Sequence, residues 1–104
     1  MLPDMPDTSN QAIGRRLVAV REARGHLQAT MAKLMDVSYQ RWGNYERGER
    51  FPPPDLLARF WQLTGATSDF ILFGHMNGLP YELAEKLRAT ASKKLTDTKD
   101  AATG

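Results

Sequence analysis

The sequence predicts an all-α domain of five short helices with an additional C-terminal helix, and three observations carry that reading. Apolar residues recur at helical spacing in separate stretches, beginning with Ile13, Leu17 and Val20. Residues that start or stop helices stand between those stretches, among them Ser9, Gly25, Gly48, Pro54, Gly65, Gly74 and Pro80. Between Leu27 and Gly48, finally, two short helical segments are separated by a tight break at Asp36-Val37-Ser38.

Residues 1–8 are expected to be a flexible arm, kept from helix by Pro3 and Pro6. Ser9 or Asn10 caps a first helix spanning about Gln11 to Arg24. A second helix carries Ala29, Met31, Ala32 and Met35 in helical period. Ser38 then accepts a hydrogen bond from a backbone N–H in the next turn and starts a third helix at about Tyr39, with Asp36 suited to the turn and Val37 an apolar plug.

After Gly48, the stretch Glu49-Arg50-Phe51-Pro52-Pro53-Pro54 is stiff and extended. Pro53 or Pro54 opens a fourth helix to about Thr64, with Leu57, Phe60 and either Trp61 or Leu63 facing inward. Thr67 caps a fifth, Ser68 to Phe73, whose Phe70, Ile71, Leu72 and Phe73 are too apolar to stand half exposed. Pro80 opens a sixth, with Leu83, Leu87, Ala91 and Leu95 in a narrow stripe that could dock on its own domain or on a second copy. The divisions are therefore an arm at 1–8, a domain at 9–74, a loop and C-terminal helix at 75–95 that is a candidate dimerisation element, and a polar, disordered tail at 96–104.

In the third helix Trp42 and Tyr45 stand three apart and define the face packed against the body. That leaves Tyr39, Gln40, Arg41, Asn44 and Arg47 outside. Amides and guanidinium groups are the side chains that pair with base edges in a major groove, so this polar face reads as a nucleic-acid reader. Tyr39, Gln40, Arg41 and Asn44 are the base-reading candidates, and Ser38, Arg47 and Arg50 the phosphate partners by position. Gly43, within this helix, costs up to about 1 kcal/mol relative to Ala; either it is a tolerated gap beside Trp42, or it lets the backbone approach DNA.

These residues resemble the helix-turn-helix of the Cro/XRE-type, lambda-repressor-like family of phage and bacterial repressors. Gln28 opens the first motif helix, Ala32 sits inside it, Val37-Ser38 leads into the recognition helix, Trp42 follows four after the Ser, and Tyr45-Glu46-Arg47-Gly48 closes it. The resemblance extends from about Ile13 to Gly74. It implies a recognition helix in the major groove, Gln28 as a phosphate-clamping amide, and a structural ion pair between Arg21 and Glu46. The sequence departs from the family at Leu27, which stands where a Ser or Thr cap is usual, and at His26, where Leu is common. Either the cap has shifted to another residue, or it is missing at a cost of roughly 1 kcal/mol.

Composition narrows the function classes. With 104 residues, no cysteine and a net charge of +2, the chain is one small domain without thiolate chemistry or a disulfide scaffold. The opening MLPDMPDTSN reads as neither signal peptide nor anchor, so a cytoplasmic, bacterial or phage-encoded protein is expected. Positive charge is placed unevenly: Arg15, Arg16, Arg21, Arg24, Lys33, Arg41, Arg47, Arg50 and Arg59 outnumber the acids of the first sixty residues. His26 and His75 have no carboxylate at metal spacing beside them, so no enzyme activity, metal or cofactor is expected. The reading is a sequence-specific, double-stranded DNA-binding repressor acting as a homodimer on a near-palindromic operator. Its rival is an antitoxin or protein-interaction adaptor with the same fold, whose C-terminal helix binds a partner protein.

Overall fold

Each helix boundary has a local cause in the computed structural model, which describes residues 5–103, with side chains described to Lys93. Ser9 accepts a hydrogen bond from the Ala12 N–H and starts α1 (Asn10–Ala23), which ends ahead of Gly25 at φ +76°. α2 (Gln28–Leu34) begins at Leu27 without any side-chain cap, so its first amides go unsatisfied by the preceding residue. At the break Asp36 takes a left-handed φ of 57°, half-buried Val37 packs on the core, and Ser38 caps α3 (Tyr39–Glu46) by accepting from the Arg41 N–H. α4 (Pro54–Thr64) starts on proline and ends at left-handed Gly65; α5 (Ser68–Phe73) is capped by Thr67 and ends at left-handed Gly74.

α6 (Tyr81–Thr103) is longer than the sequence reading, which stops near Leu95 and places a disordered tail at 96–104. No proline or glycine stands between Pro80 and Gly104, so nothing local terminates the helix earlier. Of the expected arm at 1–8, residues 1–4 lie outside the described residues and residues 5–8 are exposed and non-helical. Asp7 is tied down: its carboxylate accepts from the Ser9 N–H, its carbonyl accepts from Arg16, and its carboxyl is held below the usual carboxylate range by the hydrogen bonds from Ser9.

The helices surround α1, which packs against α3, α5 and α6, while α2 packs on α3 and α4 on α5. Ile13, Leu17 and Val20 of α1 meet Met31 and Met35, Trp42 and Tyr45, Leu56, Leu57 and Phe60, and Phe70 and Ile71. Trp42 is completely buried, with its ring 5.7 Å from Phe60 and 6.3 Å from Tyr45. Ala29 of the expected α2 stripe is exposed. On α4 neither Trp61 nor Leu63 faces inward; they are 54% and 45% exposed, and Leu56 and Thr64 complete the buried face with Leu57 and Phe60. A polar Thr is tolerated there because its hydroxyl donates to the Phe60 carbonyl and accepts from the Ala66 N–H. α5 has fewer than two turns and buries one side only, so Phe73 is 40% exposed and Leu72 half-buried. On α6, Leu83, Ala84 and Leu87 dock on their own domain, Ala91 is exposed, and Leu95 lies outside the described side chains.

Much of the positive charge of the first half is internal. Arg16 donates to the Ile71 and Leu72 carbonyls at the end of α5, Arg24 to the Thr64 carbonyl at the end of α4, and Arg59 to the Met35 carbonyl after α2. Each satisfies orphan carbonyls at the negative end of a helix dipole. Arg24 also bonds exposed Glu82 at 2.9 Å, holding that carboxyl below its ordinary range. That small contribution is present at neutral pH and is lost as pH falls through the lowered value.

Three helices converge on one carboxylate. Arg21 of α1 donates to Glu46 through Nε at 2.7 Å and Nη2 at 3.3 Å, Gln28 of α2 through Nε2 at 2.6 Å, and Trp42 of α3 through Nε1 at 2.8 Å. The Glu46 side chain is 2% exposed and that of Arg21 11%. Arg21 also donates to the His26 carbonyl, which fixes the link between α1 and α2. The crossing of α1 and α3 is close enough to need glycine: a Cβ on Gly14 would sit against the Glu46 carbonyl oxygen and 2.8 Å from the Tyr45 carbonyl oxygen. Gly48, at φ +77°, likewise leaves no room for a Cβ beside the Gln11 backbone.

Two stability measurements check this arrangement. Gly14→Ala should destabilise by about 1–3 kcal/mol in urea unfolding, because the obstructing atoms are backbone, whereas helix propensity alone would give stabilisation of up to about 1 kcal/mol. Arg21→Met alone should cost about 3–5 kcal/mol by leaving a buried carboxylate without its cation, and Arg21→Met combined with Glu46→Leu should cost less than Arg21→Met alone.

Candidate nucleic-acid interface

α3 is amphipathic, and the buried side determines what the other side shows. Trp42, Tyr45 and Glu46 are fixed inward by the core and by the shared carboxylate, so Tyr39, Gln40, Arg41 and Arg47 are exposed and Asn44 half-exposed. Ser38, Gln40, Arg41, Asn44 and Arg50 line a single open groove along the outer side of this helix. Arg50, which follows the left-handed turn at Gly48, is brought back to α3 by its backbone N–H, which donates to the Asn44 carbonyl.

The guanidinium groups of Arg41 and Arg50 make no hydrogen bond or ion pair to any described residue, and Lys33 on α2 is also exposed and unpaired among them. With a net charge of +2 and so many arginines consumed inside, these cations dominate the outer side of the motif. Ser38 has a double role open to it, since one hydroxyl lone pair is used on the Arg41 N–H while its proton remains available.

Three of the sequence-derived site residues, Gln28, Tyr39 and Arg47, make hydrogen bonds within the chain. Gln28 uses both ends of its amide: Nε2 donates one proton to Glu46 and Oε1 accepts from the Tyr39 hydroxyl at 3.2 Å. Tyr39 is 61% exposed, yet this bond draws its hydroxyl toward the start of α2 and away from the groove of Gln40 and Asn44. Arg47 lies across the end of α3, donating to Asn44 Oδ1 at 2.6 Å and to both oxygens of Glu49 at 3.3 and 3.4 Å. Sequence reasoning missed Glu49 and Gly14 altogether. The one available signal for Glu49 is its opposite charge two residues from Arg47.

A second cleft, beside the turn, is lined by Asp36, Val37, Arg41, Tyr45, Asp55 and Arg59 among others. Its charges are mixed, and Arg59 already sits 3.9 Å from Asp36. Among the described residues no group of three or more His, Asp or Glu side chains is placed to hold a metal ion, and no helix is long and apolar enough to cross a membrane.

The geometry has counterparts among known proteins. A family profile described as Helix-turn-helix domain matches residues 12–69, a span that runs from α1 into α5. The chain is 33% identical over 61 residues to the SPbeta prophage-derived uncharacterized HTH-type transcriptional regulator YonR of Bacillus subtilis (strain 168), covering 59% of this chain and 56% of that one. It is 29% identical over 89 residues to the HTH-type transcriptional regulator DicA of Escherichia coli (strain K12), covering 86% of this chain and 66% of that one. The chain thus spans between 56% and 66% of the length of these relatives. In fold it is similar to the crystal structure of the clp gene regulator ClgR from Corynebacterium glutamicum, with a TM-score of 0.56, 22% identity and 86% of each chain covered. Matched over more than half of its length, and built of helices alone among its described residues, the chain belongs to the helix-turn-helix domain family, of the Cro/XRE type.

Proposed function

We infer that the chain is a sequence-specific, double-stranded DNA-binding transcriptional regulator that acts as a repressor, with α3 in the major groove of a near-palindromic operator. The observation that carries the reading is the outer face of α3, where amides at Gln40 and Asn44 lie in one groove with the unpaired guanidinium groups of Arg41 and Arg50. Gln40 is suited to bidentate pairing with adenine and Arg41 to guanine O6 and N7. Arg50 and Ser38, which line the same groove, are assigned to phosphate oxygens, with Lys33 as a further cation of the motif. The names of the relatives, both HTH-type transcriptional regulators, support this assignment.

A single motif of this size buries only about 600–1,000 Å² on DNA, so two copies on a two-fold site are part of the reading. Leu83 and Leu87 are consumed by the chain's own core, which leaves pairing to surface outside that stripe. Half-sites one turn apart, about 34–36 Å on one DNA face, follow from the two-fold geometry.

Selection of bound duplexes from a random pool at physiological salt tests the function directly. A two-fold symmetric consensus is the expected result; recovery of sequences no different from the input pool would overturn it. On the selected site, Gln40→Ala should relax preference at particular base pairs, at about 1–3 kcal/mol of lost discrimination. Arg50→Ala should instead weaken all sequences alike and reduce the slope of log K against log salt by about one. A sequence-independent loss from Gln40→Ala, read by fluorescence anisotropy on consensus and scrambled duplexes, would remove it from the base-reading set.

A further inference from the structure

The groove on α3 contains a pair whose internal geometry restricts what it can read. Asn44 projects into the groove, and Arg47, one turn later, donates from Nη2 to Asn44 Oδ1 at 2.6 Å. A guanidinium carries only donors, so the atom it meets must be the amide oxygen, and the orientation of the Asn44 amide is unambiguous. Arg47 is held from its other side by both carboxylate oxygens of Glu49. Beneath it lies Gly43: a Cβ there would fall 2.7 Å from Arg47 Nη1. The mid-helix glycine thus leaves space that the Arg47 guanidinium occupies. It is the floor on which the Arg47 guanidinium rests.

We propose that Arg47 is a positioning residue that turns the Asn44 amide oxygen away from the groove, so that Asn44 reads DNA as a hydrogen-bond donor and selects guanine over adenine; the assignment rests on the DNA-binding reading above. A freely rotating Asn pairs with adenine by donating to N7 and accepting from the N6 amino group. With Oδ1 engaged by Arg47, the Nδ2 protons are the amide groups left without a partner among the described residues. Guanine presents two acceptors, O6 and N7, to such a donor, whereas adenine places its own N6 donor where O6 would be. The same geometry withdraws Arg47 from the phosphates, because its guanidinium is engaged by Asn44 on one side and neutralised by Glu49 on the other.

Sites enriched from a random duplex pool by the wild-type chain and by its Asn44→Ala, Arg47→Ala and Gly43→Ala variants test the proposal. The base pair whose preference Asn44→Ala abolishes should carry guanine in the wild-type consensus. Both Arg47→Ala and Gly43→Ala should lower the guanine-to-adenine ratio there by about tenfold, the order of one well-formed base contact, with the other positions unchanged. Gly43→Ala retains the guanidinium charge and adds a better helix former, so its agreement with Arg47→Ala separates amide positioning from a lost phosphate contact and from misfolding. Adenine at that position in the wild type, an unchanged preference in the two variants, or an equal loss of affinity for all sequences on Arg47→Ala would each overturn the proposal and leave DNA recognition standing. A wild-type pool without any consensus would overturn both.

Discussion

The carboxylate of Glu46 is the constraint from which the outer face of the motif follows. It accepts from Arg21, Gln28 and Trp42, which come from three helices, and it does so almost completely out of water. A buried carboxylate is tolerated only where its lone pairs are filled, and here each oxygen has two donors. Those donors fix more than position. Trp42 and Glu46 are one turn apart on α3, so anchoring both determines how α3 is rotated about its axis, and hence that Gln40, Arg41 and Asn44 point outward. The presentation of the reading face is set from behind, by a buried carboxylate and its donors.

The arginines show how reach divides one residue type between scaffold and surface. Arg16, Arg24 and Arg59 come from helices that cross the C-terminal ends of others, and each finds backbone carbonyls that the helix itself leaves unpaired. Removing them, together with Arg15, Arg21 and Arg47, which are ion-paired to Asp7, Glu46 and Glu49, leaves a motif whose unpaired cations are few and local: Lys33, Arg41 and Arg50. Sequence-independent attraction to DNA grows with the number of phosphates neutralised. A surface with few free cations therefore depends more on groove contacts, and on the doubling that two copies supply, than a strongly basic protein does.

What could be read from the sequence was whatever is decided locally. Ser9, Ser38 and Thr67 cap the helices that follow them, Gly65 and Gly74 end helices in the left-handed region, and the Asp36-Val37-Ser38 break lies where its turn chemistry puts it. Trp42 and Tyr45 mark the buried face of α3 because three-residue spacing is a property of the helix alone. The grouping of Ser38, Gln40, Arg41, Asn44 and Arg50 followed from that face. Features that depend on another element's backbone were not legible. Nothing about Gly14 in its own stretch announces that the Glu46 carbonyl lies against it, and nothing near Arg24 in sequence points to the Thr64 carbonyl. Trp61 and Leu63 were misplaced for a related reason: hydrophobicity argued for burial, but the direction of α4 is set by Leu56, Leu57 and Phe60, and a threonine that satisfies its own hydroxyl takes the last inward position.

Gly43 joins these two kinds of information. A glycine inside a helix of eight residues is a standing cost of up to about 1 kcal/mol in a short element that has little propensity to spare. Sequence reasoning sees that cost and has no means of finding what fills the vacated space, because the occupant is the guanidinium of a side chain four residues later. Once Arg47 occupies it, three further groups are constrained together: Glu49 on the far side of the guanidinium, Asn44 on the near side, and the direction of the Asn44 amide. Positions 43, 44, 47 and 49 therefore form one unit, and a change at any of them alters the hydrogen-bonding character presented by Asn44. The local violation of helix propensity and the polarity of the groove are two aspects of the same contact.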